Sequence, residues 1–143
     1  MQKSSAAMPF VLVSTGIWSC VHKPSDKKPV SFERYVSGST LVPVIKVTPN
    51  DGFYVHTYYD VCPFSPSGKF LVVSKIPYED KPPRYGDSAE ICVIDLERET
   101  IETIYRTKCW AHQTGTMAQW GVDDNHIYTN DVIDGIGVCV VIN

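Results

Sequence analysis

Phe64-Ser65-Pro66-Ser67-Gly68-Lys69-Phe70-Leu71-Val72-Val73-Ser74 is the stretch on which the fold turns. An aromatic residue leads into Ser-Pro-Ser-Gly, where proline presets a negative φ and glycine accepts a left-handed backbone, so a tight turn is expected. The run 70–74 that follows is aromatic and β-branched, which suits a half-buried pleated strand. Residues 76–87 then hold three prolines and a glycine and are too broken for regular structure. Beyond them, 91–96 (Ile-Cys-Val-Ile-Asp-Leu) and 101–105 flank the polar link Glu97-Arg98-Glu99-Thr100, the pattern of a hairpin. On the other side, Asn50-Asp51-Gly52 is a turn signal between a β-branched run at 41–48, broken by Pro43, and an aromatic run at 53–59. Segments 117–120, 126–129 and 137–142 complete a series of short strands. No window carries a sustained apolar period of 3.6, so the expected class is all-β.

The chain also matches itself. An offset of 56 lays His56 on His112, Phe64 on Trp120, the 65–68 turn on 121–124, and 70–74 on 126–130. An offset of 47 lays Ile91-Cys92-Val93-Ile94 on Val138-Cys139-Val140-Val141, the difference being an insertion in the proline-rich loop. Each unit reads as strand, turn after an aromatic, strand, loop, cysteine-bearing strand, turn, strand. Four short antiparallel strands in about 40–50 residues is the period of a propeller blade, in which the repeated aromatic can fill space between neighbours.

Phe64-Ser65-Pro66-Ser67-Gly68-Lys69-Phe70-Leu71 resembles the Phe-Ser-Pro-Asp-Gly-Lys-x-Leu signature of TolB-type WD40-like β-propeller repeats. Ile91-Cys92-Val93-Ile94-Asp95-Leu96 is similar to the strand ending in Asp-Leu that precedes the outer hairpin of those repeats. From Val47-Thr48-Pro49 to Thr103 the chain looks like the opening of oligogalacturonate-lyase-like propellers. The resemblance covers residues 40–143 and departs from the signature in the second copy, which has Val122-Asp123-Asp124-Asn125. It implies a partial β-propeller of about two four-stranded antiparallel blades. The expected division is 1–28 signal or lipoprotein segment and linker, 29–52 lead-in strand, 53–108 first blade, and 109–143 second, incomplete blade. Two blades leave strand edges and apolar faces open, so further blades of a longer parent chain, or self-association, are expected.

Composition narrows the function. Among 143 residues, 13 Lys+Arg against 16 Asp+Glu give a net charge of −3, and the cations are scattered, so nucleic acid is not an expected partner. Hydrophobic residues at 43% allow a packed core. Dinucleotide, P-loop, zinc-protease, serine-hydrolase, EF-hand and N-glycosylation motifs are all absent from the sequence. Five cysteines (Cys20, Cys62, Cys92, Cys109, Cys139) include no C-x-x-C pair. Cys62, Cys92 and Cys139 lie in apolar runs and are expected to be buried thiols. Lys3, the apolar run 6–18 and Ser19-Cys20 resemble a bacterial signal peptide ending at a lipid-modified cysteine. The competing reading is an apolar strand broken by Pro9 and Gly16. The first would make the protein periplasmic or lipid-anchored, the second cytoplasmic.

The lyase resemblance implies β-elimination on uronic-acid chains, which needs a base, a cation to offset the carboxylate, and an acid. His56 or His112 are the candidate bases, since neutral imidazole is available near neutral pH. Arg84 is the candidate cation, and Tyr58 or Tyr59 the proton donor or ring-stacking platform. Trp110 and Gln113, beside His112, are further candidate ligand contacts. Against this stands a structural reading in which both histidines hydrogen-bond within or between blades, Arg84 is solvated, and Tyr58 and Tyr59 project to opposite sides. Asp123, Asp124, Asp131 and Asp134 are expected to form turns, and no metal ligand is identified. No cofactor is expected in this chain; a divalent metal belongs only to a longer parent. The expected partner is an acidic oligosaccharide, or a protein if the chain is a non-catalytic TolB-like binding or scaffold module.

Overall fold

A computed structural model describes residues 26–34 and 41–143. Ten strands and no helix run through these residues, so nothing among them is a helix long and apolar enough to cross a membrane. In chain order they are β1 (Lys28–Pro29), β2 (Glu33–Arg34), β3 (Ile45–Lys46), β4 (Phe53–Val55), β5 (Phe70–Ile76), β6 (Ala89–Asp95), β7 (Thr100–Thr107), β8 (Gln119–Trp120), β9 (Ile127–Ile133) and β10 (Ile136–Ile142). All pairings are antiparallel: a five-stranded sheet β1-β7-β6-β5-β4, a three-stranded sheet β10-β9-β8, and the pair β2-β3. The all-β expectation holds. The apolar run 6–18, Cys20 and the signal-peptide reading lie outside the described residues.

The repeat at offset 56 is visible in the hydrogen bonds. Phe64 bridges Leu71, and Trp120 pairs with Ile127. The Ser65 N–H donates to the Phe70 carbonyl at 2.9 Å, and the Gly121 N–H donates to the His126 carbonyl at 2.8 Å. The second offset needs correction by one residue. Leu71 pairs with Ile94 and Ile127 with Ile142, so β6 lies on β10 at 48 rather than 47. A slip of one residue exchanges the two faces of a strand. Cys92 is therefore buried while Cys139 is exposed on the outer face, and Ile142, not Val141, is the counterpart of buried Ile94. Cys62 is exposed as well, so of the three thiols expected in the core only Cys92 is there.

Alternation on β5 and β6 gives the large sheet two apolar faces. On one, Val73, Cys92, Ile94 and Ile101 pack with Val30, supported by Phe32 just before β2 and Val47 just after β3. On the other, Val72 and Ile91 pack with Ala118 and Ile127 of the second sheet. Ile91 and Ile94 are fully buried, each worth about 1.5–3 kcal/mol of apolar transfer. Trp120 joins the two sheets: its ring lies in the second cluster, and its indole N–H donates to the Pro63 carbonyl at 3.0 Å. Its repeat mate Phe64 is 48% exposed.

A β-bulge in β7 positions everything that follows. Cys92 faces Thr103, yet Ile91 faces Tyr105, so Ile104 is the extra residue. Without it Tyr105 and Thr107 would share the face of Thr103. With it they turn toward the second sheet, where both donate to Asp131, at 2.8 and 2.9 Å. Asp131, 7% exposed on β9, is thus an inter-sheet acceptor and not the turn former expected. Asp134 does form a turn: with Gly135 it has φ of 51° and 79°, the two positive values of a type I′ hairpin. Several strands are shorter than their apolar runs. The run 53–59 is strand only to Val55, and 41–48 contributes only Ile45–Lys46. Conversely, Lys28–Pro29, at the expected boundary between linker and lead-in strand, pairs with β7.

Candidate functional site

The candidate residues are best located by the end of the sheet from which they leave. β5 ends at Ile76, β6 begins at Ala89 and β7 ends at Thr107, so the loops 77–88 and 108–113 emerge side by side. Pro77 cannot extend the ladder beyond Ile76, and Pro82-Pro83 keep the loop irregular. Tyr78 organises what results. Its hydroxyl donates to the Asp87 carboxylate across the loop and accepts the Arg84 N–H at 3.0 Å. The Asp87 hydrogen bond holds the phenol above its ordinary pKa, with burial adding to the effect. The second loop locks onto the first through two rings. The Trp110 indole N–H donates to the Asp87 carbonyl at 3.1 Å. His112 Nε2 lies 3.0 Å from the Tyr78 carbonyl. A carbonyl only accepts, so Nε2 carries the hydrogen and Nδ1 is left for any further role. The rings of Tyr78, Trp110 and His112 stack edge-to-face, with centroids 5.4–6.2 Å apart.

Of the sequence-derived candidates, Trp110, His112 and the backbone of Arg84 are therefore brought together, all through Tyr78. The Arg84 side chain and Gln113 are exposed. His56, one residue past β4, is exposed too. Tyr58 and Tyr59 do not project to opposite sides: their ring centroids are 4.3 Å apart. The chain has already left the strand there and turns, with the Val61 N–H donating to the Tyr58 carbonyl, so pleat alternation no longer applies. Tyr78 and Asp87 escaped sequence reading. The available signal was an isolated aromatic just after the proline that ends a strand, with a carboxylate nine residues on.

A second concavity lies on the face of the large sheet away from the smaller one. It has a volume of about 410 Å³ and is lined by Asp51, Tyr54, Lys75, Glu90, Thr103 and Arg106 among others. Of the three cations on its wall, Lys28, Lys75 and Arg106, two hold carboxylates, Lys75 with Asp51 at 2.9 Å and Arg106 with Glu90 at 2.6 Å. Tyr54 also donates to Asp51 at 2.7 Å. Chiefly through the Lys75 hydrogen bond, and then that of Tyr54, the Asp51 carboxyl is held below the usual range. None of His56, His112, Tyr58 or Arg84 lines this cavity. Among the described residues no group of three or more His, Cys, Asp or Glu is arranged to hold a metal ion. No family model, no curated protein and no solved structure matches this chain.

Proposed function

We propose that this chain is a pair of stacked propeller-type β-meander modules acting as a non-catalytic binding module, which presents the loop 77–88 to a protein partner. The observation that carries this reading is the contrast between the base and the tip of the loop. Tyr78, Asp87, Trp110 and His112 brace the base through four hydrogen bonds, whereas residues 79–86 are all exposed. The tip offers Arg84 and Tyr85, the latter 89% exposed. Arginine and tyrosine are over-represented among the residues that dominate interface energetics, and a braced loop loses less entropy when it docks. The matched pairings at offset 56 support the propeller-type resemblance.

The resemblance to oligogalacturonate-lyase-like propellers implies instead a carbohydrate-active parent acting on acidic oligosaccharides. That chemistry needs base, cation and acid around one cavity. Here one nitrogen of His112 is committed to a backbone carbonyl, and none of His56, His112, Tyr58 or Arg84 lines the sheet-face cavity. Both facts favour binding over β-elimination in this chain. Calorimetric titration with oligogalacturonate, with ultraviolet detection of unsaturated product, separates the readings. The expected result is neither saturable heat nor product. A heat or product that His112→Ala abolishes would overturn the binding reading. As the positive arm, a photo-crosslinker at position 85 should capture a protein that the same group at Glu99, at the opposite end of the sheet, does not.

A further inference from the structure

Between Lys81 and Gly86 the braced loop reads Pro82-Pro83-Arg84-Tyr85. All four residues are exposed, Tyr85 at 89%. Two adjacent prolines dictate their own backbone. Each ring locks φ at about −65°, and Pro83 bars the residue before it from the helical region, so Pro82 is held in the polyproline II conformation. Lys81 also precedes a proline and is restricted to extended backbone in the same way. Neither proline has an N–H to satisfy. Among the described residues none donates to the carbonyl of Pro82 or Pro83. The segment thus presents two proline rings and two open acceptors, and ordering it costs little because the rings have already fixed it.

Tyr78 holds this segment on both sides. Before it, the Lys81 ammonium lies over the Tyr78 ring, 4.3 Å from the centroid. Within it, the Arg84 N–H donates to the Tyr78 hydroxyl at 3.0 Å, so that donor is used inside the loop. The Asp87 N–H then donates to the Arg84 carbonyl at 3.2 Å, and Gly86 has φ of 95°. Arg84-Tyr85-Gly86-Asp87 is therefore a turn with glycine where type II demands a positive φ, and Tyr85 takes its second position directly after the proline run. Domains that read polyproline II segments do so with grooves lined by aromatic rings, against which proline rings pack. A proline pair followed two places on by tyrosine is the pattern that the WW class of such domains accepts. The Pro-x-x-Pro spacing that the SH3 class accepts does not occur in residues 77–88.

We infer that Pro82-Pro83-Arg84-Tyr85 is a docking motif for a proline-recognition domain of the WW type, displayed ready-shaped on Tyr78. This rests on the binding-loop reading and names the kind of partner. The probe is a recombinant WW domain of the Pro-Pro-x-Tyr class, labelled and titrated with the full chain by fluorescence anisotropy. Saturable binding is expected, and an SH3 domain in its place should not bind. Pro83→Ala and Tyr85→Ala each remove only an exposed side chain, so both should keep the far-ultraviolet spectrum of the parent and weaken binding by about tenfold or more. Asp80→Ala, in the same loop but outside the motif, should bind as the parent does. Absence of binding by the full chain, whether or not the free peptide 79–88 binds, would overturn the proposal. So would binding that survives both Pro83→Ala and Tyr85→Ala. A photo-crosslinker at position 84, the unspecified place in the motif, separates this failure from that of the wider reading. Capture there of a protein with no proline-binding groove overturns the WW assignment alone. No capture, together with no WW binding, overturns the loop as a binding element as well.

Discussion

Replacing Asp131 tests how the two sheets are held together. Its carboxylate accepts from the Tyr105 hydroxyl at 2.8 Å, the Thr107 hydroxyl at 2.9 Å, the Lys108 N–H at 2.9 Å and the Val132 N–H at 2.7 Å. The first three donors belong to β7 and the residue after it, so they cross from sheet to sheet. Asp131→Ala removes the shared acceptor. Thr107 keeps a bond to the Asn130 carbonyl, and water can reach the Tyr105 hydroxyl and the exposed Lys108, so the loss is smaller than the sum of its parts. Counting one charge-assisted bond in full at about 2 kcal/mol and the others at a few tenths each gives about 3 kcal/mol. That corresponds to a fall in Tm of about 10 °C for a domain of this size. Thermal unfolding at neutral pH, followed by circular dichroism, is the assay, with the turn variant Asp134→Asn as the control. An ultraviolet titration gives a second readout. Burial, and then the bond to Asp131, pushes the Tyr105 phenol up to about 12, so the substitution should bring it back toward the ordinary tyrosine value. Unfolding within about 1 °C of the parent together with an unmoved phenol would refute the inter-sheet role of Asp131.

Three further outcomes are expected. Gly115 has φ of 55°, and a Cβ there would lie 2.9 Å from the Cβ of Ser74, whose hydroxyl is already bonded to Thr116; Gly115→Ala should therefore cost about 3 kcal/mol in strain and crowding, read by urea denaturation. Disulfide-exchange labelling of the native protein should modify exposed Cys62 quickly and Cys92 only on unfolding, because burial pushes the Cys92 thiol up to about 11. Asp51, Asp123, Asp124 and Asp131 are all held below the ordinary carboxylate value, so their stabilisation is fully present above the unfolded pKa of about 4 and is lost as pH falls through the lower folded values. For Asp131, burial alone would raise the pKa, and the hydrogen bonds from Lys108, Tyr105, Val132 and Thr107 outweigh it. Tm should be flat from about pH 5 to pH 7 and fall below about pH 4; a Tm that rises in acid would contradict the sign.

What the sequence revealed of the fold was whatever is written locally. β5 and β6 announce themselves by β-branched alternation, and the offset of 56 holds for the pairs flanking the turn, Phe64 with Leu71 and Trp120 with Ile127, because turn chemistry and the following strand travel together, whereas β4 has no counterpart strand at 109–111. The offset of 47 missed by one because it was anchored on the identity of Cys92 and Cys139. Pairing is instead set by the loop between strands, here the two-residue Asp134-Gly135 turn. Lys28–Pro29 was illegible as a strand because neither residue favours one; the edge of β7 imposes the conformation. The bulge at Ile104 has no glycine to mark it. In the site, Trp110 and His112 could be singled out as residue types, but the partner that unites them could not. Tyr78 meets them more than thirty residues away in sequence, through backbone carbonyls that no side-chain pattern encodes.

The seam between the sheets combines two kinds of contact. Part of the contact is aliphatic, with Val72, Ile91, Ala118 and Ile127, and such a surface supplies area without direction. The rest is polar. Ser74 meets Thr116 through both hydroxyl and amide, Thr57 donates to the Ala118 carbonyl, Thr129 donates to the Thr116 carbonyl, and Thr107 reaches Asp131. No fully buried side-chain nitrogen or oxygen among the described residues lacks a partner. Such a network is satisfied in one relative placement of the sheets and leaves unpaired groups in others, at about 1–3 kcal/mol each. Ser74 and Thr107 lie at the ends of β5 and β7 from which the two loops depart. Those polar contacts thus anchor the ends of the strands from which the loops 77–88 and 108–113 depart, while the bonds of Trp110 and His112 to the carbonyls of Asp87 and Tyr78 join the loops to each other.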